Sequence, residues 1–220
     1  MKCSVCFNEI QENYCSNCGQ YFKDRRVTSF TIFWGLFDSL FSIEKSFLMN
    51  IKMALSQPKT IVSNYWKGFR KYYFSPFQFF TIASLFLIIN HFFSNDFLGL
   101  TVTSNISSHF AILLLNIILL TIFSTLLYVK FKKNIFEHFI LNIYNVSLWT
   151  IIFVPISIIL SLTTNHNSYP EFFLIPFHLL IMIWNSRAFE LNKLNRFLFV
   201  TINLALFYGV LFFVKYYVNL

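Results

Sequence analysis

Charge is what this chain has least of. Only 12% of its 220 residues are charged, 9 acidic against 17 basic, while 56% are hydrophobic and the mean hydropathy is +0.60. That balance excludes an ordinary soluble globular domain, and the apolar residues fall in long runs, as in a polytopic membrane protein. Glycine is also scarce, five residues in isolated positions. No P-loop, G-x-S-x-G, H-E-x-x-H or dinucleotide fingerprint occurs, so the residues name no reaction and an enzyme is not expected. Cysteine is absent beyond residue 18, which argues against a distributed disulfide framework. Met1-Lys2-Cys3 leads straight into a cysteine motif instead of a basic and then apolar leader, so no signal peptide is expected and insertion falls to the first membrane helix. The 31 Phe read as lipid-facing and core filler.

What is present at the N-terminus is specific. Cys3-x-x-Cys6 and Cys15-x-x-Cys18 form two hooks separated by a short loop, a spacing that places four thiolates tetrahedrally around one Zn²⁺. Four cysteines fill the coordination sphere, so the expected metal is structural, with iron–sulfur or redox chemistry as the alternative. Gly19 suits the tight turn after the second hook, whereas Phe7 stands in the equivalent place of the first and makes it the less ideal. Phe7, Ile10 and Tyr14 are the candidates for a small apolar cap. Thiolate chemistry puts this end in a reducing cytosol.

Apolar stretches near 77–93, 110–129, 139–162, 169–186 and 197–214 approach the ~20 residues of a membrane helix. The fourth is the weakest, interrupted by Pro176 and His178. The loops alternate in charge. Lys59, Lys67, Arg70 and Lys71 precede the first stretch, Lys130, Lys132 and Lys133 follow the second, and Arg187, Lys193 and Arg196 follow the fourth; the two remaining loops contain no Lys or Arg. The positive-inside rule then predicts five spans, a cytosolic N-terminus and an external C-terminus, with Lys215 snorkelling at the outer interface. The net charge of +8 thus encodes topology, and nucleic acid is not an expected partner. The organisation that follows is a ribbon over 1–22, cytosolic or interfacial helices and an elbow over 23–76, and an all-α membrane domain over 77–220.

Within the middle region, Phe30, Phe33, Trp34, Phe37, Leu40 and Phe41 recur at helical spacing, as do Phe47, Leu48, Ile51, Ala54 and Leu55 before Pro58. Both segments fit helices packed on the bundle or lying in the membrane interface. Tyr65, Trp66, Tyr72 and Tyr73 read as aromatic-belt residues, and Lys67, Arg70 and Lys71 as partners of anionic headgroups, at about 1 kcal/mol each. Gly68 permits a bend and Pro76 suits a first helical turn. A sharper reading makes Arg70 a bidentate phosphate ligand.

The run Tyr65-x-x-Gly68-x-Arg70-x-x-Tyr73-x-x-Pro76, with the ribbon before it and Glu137-His138 after it, resembles an uncharacterised bacterial membrane family frequent in the Bacteroidetes, domain of unknown function 3667. The resemblance implies a ribbon followed by several spans in a bacterial inner membrane. It implies no activity, substrate or catalytic residue.

Polar groups inside the apolar stretches admit two functions. Asn90, His91, Asn116, Asn142, Asn145, Asn185 and Asn203 suit interhelical hydrogen bonding. Glu137, His138 and His178 titrate, so a small-solute or proton-coupled transporter would run through them. His91, His109, His166, Asp96 and Glu171 map to the outer side, where a metal site is a further alternative. The preferred expectation is a partner-docking or regulatory membrane module whose ribbon meets a cytosolic protein or the underside of its own bundle. Transport comes second and an intramembrane enzyme third.

Overall fold

The computed structural model describes residues 2–10, 13–20, 22, 27–29, 32, 47–69, 73–94, 96–98, 100–101, 106–163 and 171–218. The helix expected around Phe30–Phe41 lies outside these residues, as do Arg70, Lys71, Tyr72 and His166. The described part is helical: α1 Phe47–Ser56, α2 Pro58–Trp66, α3 Pro76–Phe93, α4 Ile106–Leu127, α5 Ile135–Thr163, α6 Glu171–Ala188 and α7 Lys193–Val218. One departure from all-α is a hairpin of two-residue strands, β1 Asp96–Phe97 and β2 Leu100–Thr101, between α3 and α4. Among the described residues, three helical segments are long and apolar enough to cross a membrane: α3, α5 and the Lys193–Phe213 part of α7. The apolar parts of α4 and α6, Leu113–Leu127 and Phe173–Ala188, are shorter.

Helix boundaries follow local chemistry. Pro58 does not merely end α1; it opens α2 at the first turn, where a missing N–H costs nothing. Ser75 and Gln78 close a reciprocal capping box ahead of Pro76 at the start of α3. Asn134 and Glu137 do the same for α5. The Asn134 amide donates to Glu137 Oε2 and the Glu137 amide to Asn134 Oδ1, both at 2.8 Å.

Helices α3 and α5 share the most extensive interface; α4 packs on both, α6 on α5, and α7 on α6 and α4. At the far end the hairpin closes the bundle, with Phe97 and Leu98 buried and Phe97 edge-on to Phe177 at 5.7 Å. At the ribbon end, α1 and α2 are docked on the bundle. Buried Asn50 accepts the Phe74 amide at 2.8 Å, and Tyr144 donates to the Phe74 carbonyl at 2.8 Å. The elbow is therefore clamped from both sides where it enters α3. Tyr65 lies in the core, edge-on to Tyr144 at 6.0 Å, and the Trp66 indole donates to the Glu137 carbonyl at 3.0 Å. These two aromatics tie α2 to α5, and Tyr65, buried in the core, faces protein.

Candidate metal centre

The two cysteine hooks fold as near-duplicates. Cys3 N–H donates to the Asn8 carbonyl and Phe7 N–H to the Cys3 carbonyl; in the second hook Cys15 N–H donates to Gln20 and Gly19 N–H to Cys15. Each loop turns through a left-handed residue, Gly19 at φ +68° and Phe7 at φ +61°. Glycine takes that conformation freely, whereas a phenylalanine pays roughly 1 kcal/mol. The ring of Phe7 is 75% exposed, and Tyr14 is 52% exposed, so neither forms the expected cap.

The four Sγ atoms all lie within 4.8 Å of one another. Cys3 and Cys18 approach to 3.5 Å and Cys6 and Cys15 to 3.4 Å, with all four thiols free of disulfides. A tetrahedral site with metal–sulfur bonds of ~2.3 Å needs sulfurs about 3.8 Å apart, within the range observed. The backbone N–H of Asn8 is directed at Cys6 sulfur and that of Gln20 at Cys18 sulfur, two residues beyond each second cysteine. Amides so placed stabilise thiolates, and the donor set fits a metal ion. The Asn8 amide draws the Cys6 thiol down to about 6, whereas desolvation pushes Cys18 up to about 12. The opposite directions belong to one cluster of four interacting sulfurs. Among the described residues these cysteines are the grouping of three or more metal-capable side chains. The outer histidine and carboxylate alternative rests partly on His166 and on the side chains of Asp96, His109 and Glu171, outside the described set.

The core beneath the sulfurs is completed from elsewhere in the chain. Cys3, Cys15 and Ile10 are buried together with Phe69, while Val5 and Phe22 pack around them. Phe22 and Phe69 form an antiparallel β-bridge, with ring centroids 5.1 Å apart. Phe69 is presented by the end of α2: its N–H donates to the Asn64 carbonyl and that of Gly68 to Tyr65, with Gly68 at φ +94°. This is a Schellman ending, in which glycine supplies the left-handed residue and the next side chain is thrown outward. Gly68 therefore sets the elbow's geometry, as expected, but aims Phe69 at the ribbon. Ribbon and elbow share one small core across the boundary at residue 22.

Other candidate residues fall into separate clusters. Lys67 is exposed and Tyr73 half-buried at the elbow. Glu137 is 2% exposed and held by its capping box, with Lys133 Nζ at 3.6 Å; Lys133 also lies 4.4 Å over the Trp66 ring. His138 is buried against Phe189 at 5.7 Å. Deeper in the bundle Asn142 donates to Ser124 at 3.0 Å, Asn185 to Asn142 at 2.9 Å, and Asn145 to Asn185 at 2.8 Å, stitching α4, α5 and α6. His178 sits apart from these, with Nε2 3.1 Å from Asn116 Oδ1 and Nδ1 3.2 Å from the Tyr208 hydroxyl.

Compared with known proteins, the chain matches no family model, no curated protein and no solved structure.

Proposed function

We propose that this is a five-span bacterial inner-membrane protein of the zinc-ribbon family it resembles, and that its ribbon is a docking module for a cytosolic protein. The observation that carries the reading is Phe7. A phenyl ring 75% exposed, on a backbone that favours glycine, adds nothing to the ribbon's own core. With exposed Tyr14 in the same module, it gives the aromatic anchors that interface hot spots use. The ribbon is braced against the elbow through Phe69, so a partner bound there acts on a platform continuous with the bundle.

Zn²⁺ is the metal that four cysteine thiolates in a closed tetrahedral set suit best, and its role is structural. Five spans are favoured over three because α4 and α6, at 22 and 18 residues, are about 33 and 27 Å long. The exposed flank of α4 carries Leu114, Leu115, Ile118, Ile122 and Leu126, which suits lipid and not water. The basic loops then put the ribbon in the cytosol.

The experiment is affinity recovery from native membranes with the wild type and a Phe7→Gly, Tyr14→Ala double variant. The expected result is a cytosolic protein recovered with the wild type and lost with the double variant, at unchanged metal content. Equal recovery with both rejects the docking face. Transport would instead require a route joining Glu137, His138 and His178; capping at Glu137 and the separate His178 cluster favour packing roles for these groups.

A further inference from the structure

At the end of the bundle where the basic loops lie, α4 runs into a single 3₁₀ turn, Val129–Phe131, and packs against α7. The Tyr128 ring stacks on Phe189 at 4.4 Å and on Phe199 of α7 at 5.1 Å, which fixes this corner. Exposed Lys130 stands on it, with Nζ 5.3 Å from the centre of the Phe199 ring and 5.5 Å from that of Phe131. Arg196 lies one turn before Phe199 on the same face of α7, and its Nη2 donates to the Leu191 carbonyl at 3.2 Å. Two cations thus share one corner, and among the described residues neither has a carboxylate partner. The described carboxylates of the neighbouring loops, Glu137 and Glu190, pair instead with Lys133 and Lys59.

We propose that Lys130 and Arg196 together hold the phosphate of an anionic phospholipid whose acyl chains lie along α4 and α7. The charge is complementary: an ammonium and a guanidinium left without carboxylates suit one phosphodiester, and the guanidinium adds directed donors. The two phenyl rings position the Lys130 ammonium without neutralising it. Beside the cations, Leu126 and Val129 at the end of α4 and Leu194, Phe197 and Leu198 on α7 are exposed apolar side chains, the surface that acyl chains cover. A phosphatidylethanolamine carries the same phosphate with an ammonium next to it, which the two cations repel, so a headgroup of net negative charge is preferred. The inference rests on the proposed placement of the basic loops at the cytosolic headgroups and is separate from docking at the ribbon.

Native mass spectrometry of the purified full-length protein in detergent tests it, with phosphatidylglycerol and phosphatidylethanolamine of identical acyl chains as the probes and glycerol phosphate as the soluble headgroup. The expected result is that the wild type retains phosphatidylglycerol over phosphatidylethanolamine, and that Lys130→Gln and Arg196→Gln each weaken phosphatidylglycerol binding roughly fivefold. Lys52→Gln, the same charge change at an exposed position on α1, should leave binding intact, and glycerol phosphate should not displace the lipid. Equal retention of the two lipids by the wild type, an equal loss in Lys52→Gln, or displacement by glycerol phosphate would each overturn the proposal. Should Arg196→Gln fail to fold because the Leu191 carbonyl loses its donor, Lys130→Gln decides, since the contacts of Lys130 are with rings alone. No lipid preference together with a silent periplasmic reporter after Lys133 rejects this site and leaves the five-span reading standing; an active reporter there overturns both.

Discussion

The indole N–H of Trp184 donates to the carbonyl of Ala54 at 2.8 Å, and both residues are 1% exposed. One turn on, Arg187 donates to the carbonyls of Leu55 and Ser56 at 3.2 and 3.0 Å. Three successive carbonyls at the end of α1, which have no acceptor role left inside their own helix, are thus satisfied by the last turns of α6. An element that the sequence left between membrane interface and bundle is held by backbone chemistry to the bundle.

Trp184→Phe keeps most of the ring volume but orphans the buried Ala54 carbonyl. The expected cost is about 1–3 kcal/mol, visible as a lower thermal midpoint in detergent and faster hydrogen exchange over Phe47–Ser56. A variant as stable as wild type would show that the contact contributes nothing net.

Phe7→Gly should relieve the left-handed strain in the first hook and raise the metal affinity of the ribbon by roughly fivefold, the equivalent of about 1 kcal/mol. Competition with a chromophoric chelator measures it. Weaker binding would mean that the phenyl ring supports the fold despite its exposure.

The directions at Cys6 and Cys18 predict an order of reactivity. Stripped of metal at pH 7, Cys6 is largely thiolate and Cys18 still a thiol, so an alkylating reagent should modify Cys6 first. Lowering the pH through about 6 protonates Cys6 and should slow its labelling, while Cys18 stays unreactive. Peptide mapping by mass spectrometry resolves the two sites; equal labelling, or labelling of Cys18 first, contradicts the assignment.

His178→Leu removes the contacts to Asn116 and Tyr208. As a packing group it should cost about 1 kcal/mol, the scale of interhelical hydrogen bonds within membranes, and leave partner recovery intact. Loss of a transport phenotype in a well-folded variant would restore the carrier reading.

Topology is tested by reporters active only outside the cytosol. A fusion after Leu220 should be active and one after Lys133 silent. The same readout from both would remove α6 from the set of spans first.

The features legible in the sequence are those set by neighbours a few residues away. The C-x-x-C hooks, Gly19, Gly68 and Pro76 each impose local backbone geometry, and each is found where its spacing put it. Asn134-x-x-Glu137 was an equally local signal: it has the form of a capping box, and it accounts for a carboxylate otherwise assigned to a transport route. Phe69 could not be found this way. Its ribbon contact, Phe22, is remote in sequence, and neither residue carries a distinguishing motif. Tyr65 reads as a belt residue because composition near a span does not reveal which side of a helix meets protein. The hairpin was hidden because two-residue strands are too short to alternate.

The loan of Phe69 to the ribbon orders events during synthesis. Both cysteine hooks leave the ribosome early, yet their core is incomplete until α2 has formed and its glycine turn has swung Phe69 back against Phe22. A peptide ending near residue 22 should therefore hold its metal less firmly than the whole protein. Tight metal loading is then expected to be a late event, open only to a chain in which α2 and its glycine turn have formed.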